Sequence, residues 1–414
     1  MAISLRRISV AMIAAALLVT AGCEQSAPAS GTESAAESTA AVKTTNAKPQ
    51  ETETKAPETT APETTAKETT AAPETTKAPE TTVPAETTAE STTAAEKDPN
   101  EPAFVNPLTG LASDTDYTGK RPAAIMINNI KASCPQVGVS EADIMYECLV
   151  EGGYTRLMMV VQDYASLPTI GSIRSSRDYY LDFAADYDAI YVHAGGSPYA
   201  YDDIQALGVN NLDGVNMYLP NQVFYRDPDR MAVMALEHTL VSSGEKIAYG
   251  VKYKKYSTEM DKDFDYPLDF VKYDTTVAYE KAALNIHIPY SIAHNTDFKY
   301  DAESGKYLRY QFGGLEHIDG ATGEQLKYDN LIIYFCETGR ITGDPSARID
   351  VGTIGEGKGY YVTRGTYIPI TWKKESYESP TKFYTEDGEL LLINRGKTFI
   401  SVCPTSIASS ITFN

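Results

Sequence analysis

Between Glu24 and Pro102 the chain offers almost no large apolar side chain; "APETT" recurs there with variations such as "AKETT" and "VPAETT". A segment of that composition cannot bury enough surface to offset the entropy of ordering its backbone, so it reads as a tether and not as part of a core. At roughly 5–6 Å times the square root of its length, a flexible coil of this size spans about 50 Å, and its prolines extend it further. Whatever folds must lie C-terminal to it, in about 310 residues, enough for two domains with cores of their own.

Ahead of the tether, Arg6 and Arg7 precede an apolar run from Ile8 to Thr20, and "LVTAGC" closes it with small residues before Cys23. That is the build of a secretory signal peptide, and the run is short for a membrane span. Small residues directly before a cysteine resemble the bacterial lipobox, in which Cys23 is acylated and begins the mature chain; Thr20 departs from the leucine commonest there. The alternative is an ordinary secretory signal with a chance cysteine. One acyl chain anchors only marginally, so stable attachment needs multiple acylation. The expected organisation is a lipoprotein signal peptide at 1–22, a tether at 23–102, a mixed α/β domain at 103–272 and a β-rich domain at 273–414. The expected location is the outer face of the bacterial cell membrane.

The net charge is −20; the signal region carries +2 and residues 24–102, with fifteen acids and six bases, carry −9, which leaves −13 on the part that folds. An acidic body argues against nucleic acid as a partner, since phosphate contacts need a broad basic surface. After Cys23 the remaining cysteines are Cys134, Cys148, Cys336 and Cys403. They suit either two disulfides, Cys134 with Cys148 and Cys336 with Cys403, or buried free thiols within strand-like runs. None has the CxxC spacing of a zinc or redox site.

From Arg121 to about Tyr256, "AAIMINNI", "DIMYECLV", "RLMMVVQDY" and "DAIYVHA" read as strands, several apolar throughout and so buried on both faces. "SSRDYYLDFAADY" reads as a helix with Tyr180, Leu181, Ala184 and Tyr187 on one side, and a second helix starts at "SPYAYDDIQAL". Beyond Lys272, "NIHIPYSI", "KYLRYQF", "NLIIYFCE", "GKGYYVT", "TYIPITW", "KFYTE" and "KTFISVC" are short strands separated by turn signals such as "DAESGK", "EDGE" and "NRGK". The fold class expected is α+β, a mixed α/β part with some parallel pairing followed by a mainly antiparallel β part.

The candidate site is the stretch "IGSIRSSRDYY". With Ser175 or Ser176 as N-cap, Arg177 falls in the first helical turn, where the macrodipole disfavours a cation by roughly 0.3–1 kcal/mol. An anion held by Arg174, Arg177, both serines and free backbone N–H groups would offset that cost. The alternative is that Arg174 and Arg177 pair with internal acids such as Glu147, Glu151 or Asp188. A second strand-to-helix junction follows in "YVHAGGSPYAYDD", with Gly195 and Gly196 before Ser197 as N-cap and Pro198 at the first helical position. Strand ends that lead into helix N-termini are where α/β sheets bind ligands, and the two junctions are expected to face one crevice. Arg156, His193, Arg226 and Arg230 are further candidates for it, and His238 a weaker one.

Several chemistries lack their motifs: the chain has no GxSxG elbow or HExxH, and Tyr266 stands where a calcium loop needs glycine. No cofactor, no metal site and no catalytic residue is assigned. Tyrosines and Trp372 of the β part stack on sugars if exposed and form core if buried.

At "RPAAIMINN", "SEADIMYECLVEGGYTR", "IGSIRSSRDYYLD", "YDAIYVHAGGSP" and "YRDPDR", and again at "GKGYYVTRGTYIPITWKKESYESPTKFY" and "NRGKTFISV", the chain resembles the YerB-type bacterial lipoproteins. The resemblance runs from Asn106 to Cys403. It implies a two-part extracytoplasmic protein of unestablished biochemical function, with Arg174, Ser175, Arg177 and the "HAGGSP" turn as shared motifs and no catalytic assignment. A looser pattern, in "ADIM" and "LGVNNLDGV", resembles the LytR-CpsA-Psr phosphotransferases, which hold a polyprenyl pyrophosphate with arginines. The resulting expectation is a lipid-anchored envelope protein that binds a phosphorylated or carboxylated cell-wall component at the arginine corner. The alternatives are a phosphoryl or glycan transferase assisted by Asp178 or His193, and a scaffold for envelope proteins.

Overall fold

The computed structural model describes residues 102–216 and 220–414; the signal segment, Cys23 and the tether as far as residue 101 lie outside the described residues. In the first half, β1 (Ala123–Asn129), β2 (Ile144–Leu149) and β3 (Thr155–Val161) are followed by α1 (Asp178–Ala185), β4 (Ile190–His193), α2 (Pro198–Ala206), β5 (Asn211–Asp213) and α3 (Gly244–Lys254). Every residue of β1 and β3 is buried, as the unbroken apolar runs require of strands covered on both faces. The second half supplies β6 (Lys281–Ala282), β7 (Asn285–Ile288), β8 (Thr296–Asp301), β9 (Lys306–Gln311), β10 (Asn330–Cys336), β11 (Gly355–Thr363), β12 (Thr366–Lys374), β13 (Lys382–Thr385) and β14 (Thr398–Pro404).

Strands of both halves share one eleven-stranded sheet, ordered β6-β12-β11-β10-β14-β2-β3-β1-β4-β5, with β13 on the edge of β12. The seam lies inside that sheet, where β14 runs parallel to β2 on one side and to β10 on the other. Parallel pairing recurs at β1–β4 and β4–β5, while the remaining pairings are antiparallel. The architecture is α+β. β7, β8 and β9 build a second, antiparallel sheet of six strands with three two-residue strands, at Leu315–Glu316, Lys327–Tyr328 and Thr412–Phe413.

Two cores form, one on each face of the large sheet. On one face Ile125, Ile127 and Met159 pack with Ile247 and Val251 of α3, and the six-stranded sheet adds Ile286, Ile288 and Phe298. On the other, Met126, Tyr146 and Met158 pack with Tyr179, Tyr180 and Phe183 of α1. The alternating apolar pattern of α1 is therefore spent on the sheet, with Tyr146 and Phe183 stacked at 5.1 Å between ring centroids. Trp372 and most of the aromatic side chains around it belong to this second core and present no stacking platform. Cys134, Cys148, Cys336 and Cys403 are all free thiols, so the disulfide reading fails and the buried-thiol reading stands. Cys148, Cys336 and Cys403 point into packed faces of adjacent strands, where burial raises their pKa values. Among the described residues no helix is long and apolar enough to cross a membrane.

Candidate functional site

The two strand-to-helix junctions do meet. The amide of Ser176 donates to the Gly195 carbonyl at 2.8 Å, Ser197 N donates to Ser176 O at 3.2 Å, and Ala194 N donates to Arg174 O at 3.0 Å. Ser197 caps α2 through Ala200 N at 3.0 Å, with Pro198 at the first helical position, as expected. The other cap differs: Arg177 itself is the N-cap of α1, and neither Ser175 nor Ser176 holds that place. Ser176 is buried and shares a 2.8 Å hydrogen bond with the Tyr191 hydroxyl. Arg177 still lies at the positive end of the helix, but Glu151 offsets that cost from within the fold, so no ligand is needed to do so.

The arginines divide into buried and exposed. Arg177 clasps Glu151 through Nε at 2.9 Å and through Nη2, and also donates to Ser176 O. Burial opposes the charge of Arg177, but Glu151 outweighs it and the pKa rises. Arg156 is buried and donates to Ser175 O at 2.6 Å; burial first, then Arg177, lowers its pKa to about 10. Arg230 spends its guanidinium on three backbone carbonyls, those of Pro135, Ser133 and His238. These three arginines are fasteners of the chain, and the expected clamp of Arg174 with Arg177 does not form.

The backbone donors and His193 are also engaged internally. Gly195 N donates to Asp213 Oδ1 at 2.8 Å, and Ser197 N is bonded to Ser176 O. His193 is buried, with Nδ1 2.8 Å from Gly195 O and Nε2 3.2 Å from Asn211 Oδ1. Both ring nitrogens are thus engaged within the fold, and the geometry lends no support to His193 as a catalytic assistant. Gly196 packs over the Tyr201 ring, and the Ser176–Gly196 bridge ties the two junctions together. Asp178 is different: burial, with Asp203, Asp350 and Asp182 nearby, raises its pKa to about 6.

What remains open to solvent is Arg174 with Arg226. Arg174 meets Glu237 at 2.6 Å in a partly exposed pair. Arg226, on the short strand after Phe224, bonds only Leu236 O and, at 3.5 Å, Thr239 Oγ1. Its pKa is lowered by burial and then by Arg174, with no carboxylate acting to raise it. Glu237 thus serves Arg174 alone, and Arg226 beside it is left without a carboxylate partner among the described residues. Beside them Met231, Val233 and Leu236 are exposed at 50, 78 and 59%. His238 is buried behind the corner, its Nδ1 3.0 Å from Asn128 Nδ2.

Residues that the sequence did not single out form two other features. On the outer face of the six-stranded sheet, His287 and Asp297 are cross-strand partners with Nδ1 and Oδ1 2.5 Å apart, lining a recess of about 320 Å³. Asn295 donates to Asp297 and accepts from Gly313 N at 3.1 Å, so the imidazole is held from behind. Only the register of β7 on β8 brings that pair together. Between the two sheets, Glu147 collects Asn129, Thr155, His294, Thr296 and Arg309 in a buried polar cluster. Among the described residues no group of histidine, cysteine and carboxylate side chains is arranged to hold a metal ion.

Residues 108–257 match the family described as "Protein of unknown function (DUF3048) N-terminal domain", and residues 286–400 match its C-terminal domain. The chain belongs to this family of two-part proteins. Its relatives include the Bacillus subtilis (strain 168) protein named "Putative lipoprotein YerB", 29% identical over 310 residues that span 74% of this chain and 88% of the relative. The crystal structure of the YerB protein from Bacillus subtilis superposes with a TM-score of 0.65 at 25% identity, covering 75% of this chain and 99% of that one.

Proposed function

We propose that this chain is a lipid-anchored protein on the outer face of the bacterial cell membrane, attached through Cys23. It recognises there an anionic, phosphorylated or carboxylated envelope component at Arg174 and Arg226. The lipid anchor is supported by the lipobox-like "LVTAGC" and by the name of the relative, a putative lipoprotein. The observation that carries the recognition step is the exposed guanidinium of Arg226, which lies close enough to Arg174 for the two charges to repel and has no carboxylate partner of its own among the described residues, in an otherwise acidic body. A surface pair such as Arg174–Glu237 contributes about 0–1 kcal/mol, so a phosphate with two negative charges can displace Glu237 and bridge both arginines. Thr239, whose hydroxyl stands 3.5 Å from Arg226, and Ser175, half-buried and next to Arg174 in the chain, supply hydroxyls to orient it. The exposed Met231, Val233 and Leu236 favour an anion carried on an apolar chain over a free ion.

Phosphoryl or glycan transfer draws no support from the geometry, because His193 is enclosed and both its ring nitrogens are engaged within the fold. Thermal-shift titration of the protein with undecaprenyl phosphate and with inorganic phosphate tests the reading. Saturable stabilisation by the lipid-linked phosphate is expected, growing with ligand concentration, and lost in both Arg174→Ala and Arg226→Ala. No shift, or a shift that both variants retain, overturns it.

A further inference from the structure

The sequence around β11, "VGTIGEGKGYY", places glycine at 352, 355, 357 and 359. Glycine in a strand interior costs roughly 0.5–1 kcal/mol relative to alanine and marks places where something approaches the backbone closely. Two of the four are accounted for inside the fold. A Cβ on Gly357 would stand 2.5 Å from Trp372 Nε1, and one on Gly359 would stand 2.6 Å from Ile333 O. Gly355, at φ +140°, faces open space instead.

Gly355, Gly357 and Gly359 also line a cavity of about 630 Å³ at the end of β10, β11 and β12, within the range of small-molecule sites. Its floor is the bare glycine backbone, and its walls are Phe335, Ile354, Tyr360, Pro369, Trp372 and Ala408. It exists because β10 stops pairing with β11 at Tyr334–Gly359, while β11 continues along β12 as far as Gly355–Lys374. The strand end left uncovered by β10 opens the gap. Trp372 fixes one wall, its indole N–H donating to the Phe335 carbonyl at 3.0 Å. The mouth carries Glu337, Glu356 and Glu386 against one cation, Lys358. All four side chains are exposed, and Lys373, opposite Glu356, is taken by Glu375 at 2.7 Å.

We infer that this cavity is a second binding site, for a small amphiphile with an apolar body and a cationic, ammonium-type head. The apolar walls and glycine floor take the body, and the three rim carboxylates hold the head. This site is separate from the arginine corner, and it stands or falls independently of anion recognition there.

Trp372 is the only tryptophan of the chain and forms part of the wall, so its emission reports occupancy directly. The protein is titrated with octylammonium chloride, octanol and sodium octanoate, which share a chain and differ in charge, with circular dichroism confirming that the fold persists. Saturable change in Trp372 emission is expected in the order octylammonium, octanol, octanoate, with about tenfold between the first and last. Ala408→Phe fills the cavity and removes the response. Ile354→Lys, at a residue 39% exposed and therefore tolerant of exchange, places a cation at the mouth and reverses the order of octylammonium and octanoate. Absence of saturable change with all three probes overturns the site. Octanoate binding as tightly as octylammonium, or a response unaffected by both variants, overturns the ligand class and the location respectively.

Discussion

Glu147 and Arg309 lie 162 residues apart in the chain and meet at 3.0 Å as an ion pair that neither side chain exposes to solvent. Glu147 stands on β2 and Arg309 on β9, so the pair ties the large sheet to the six-stranded one. The carboxylate accepts from Asn129, Thr155 and His294 on one oxygen and from Thr296 and Arg309 on the other. Arg309 also donates to His317 Nδ1 and to Gln311 Oε1, and His317 Nε2 completes the chain to Gln136 Oε1 at 3.0 Å. Burial of this kind is tolerable only because every acceptor position of the carboxylate is filled.

Removing one partner leaves the other charged and enclosed. Glu147→Ala is expected to cost about 3–5 kcal/mol in urea unfolding, whereas Glu147→Leu combined with Arg309→Met recovers most of that loss. A single-variant loss under about 1 kcal/mol would contradict the buried pair.

The same cluster sets an acid dependence. Burial alone would raise the pKa of Glu147, but Arg309 and His294 outweigh it and hold the carboxyl well below the usual range. A depressed carboxylate stabilises the fold above its unfolded pKa and loses that contribution as pH falls toward the folded value. Burial, then Arg309, keeps His317 neutral, its pKa well below 6.5. The unfolded chain takes up the His317 proton first, so this residue also erodes stability as pH drops below about 6.5. These two groups should therefore lower the melting temperature as pH falls, His317 below about pH 6.5 and Glu147 below about pH 4.5. His317→Gln should flatten the upper part of that decline, and an identical slope in the variant would count against the assignment.

Asp178 works in the opposite sense. Its pKa is raised to about 6 by burial and by its acidic neighbours, so its stabilising contribution is complete below the unfolded value near 3.8 and is lost as pH rises through 6. Asp178→Asn is expected to stabilise the protein by about 2 kcal/mol at pH 8 and by almost nothing at pH 4. Denaturant midpoints at the two pH values measure the difference.

Arg174 and Arg177 should separate cleanly despite their spacing of three. Arg177→Ala strands Glu151 in a largely enclosed place and should cost a loss approaching the ~3 kcal/mol of a buried pair. Arg174→Ala breaks only a surface pair and should change stability by about 0–1 kcal/mol while removing the response to anions. Equal destabilisation by the two variants would undo the division into fastener and exposed pair.

Gly357→Ala places a methyl group where the Trp372 indole passes. The side chain must swing away from the Phe335 carbonyl, giving red-shifted emission and a loss of about 1–3 kcal/mol for the orphaned acceptor and overpacked contact. Gly343→Ala, at a site with open space around it but φ +81°, should leave the emission unchanged.

Much of the secondary structure was legible in the chain because it rests on local rules. The unbroken run in "AAIMINN" announced a doubly covered strand, "NLIIYFC" announced a strand, and Ser197-Pro198 announced a capped helix start. β8, "TDFKYD", escaped notice because only Phe298 within it is a strong apolar signal and its pairing partners are supplied from either side. The cap of α1 was misplaced by one residue for a related reason. Ser176 has the right chemistry for a cap, but the tertiary pairing of its amide with Gly195 draws its side chain toward Tyr191.

Composition and short-range pattern settled by themselves where a core was possible, which segments were strands and helices, and which residues had the chemistry to bind an anion. Tertiary structure alone decided which arginines kept a free face, that β14 joins the two halves into one sheet, and that Glu147 finds Arg309. The reason is the range of the forces: propensity and capping act within a few residues, whereas desolvation and ion pairing depend on neighbours that arrive from anywhere in the chain.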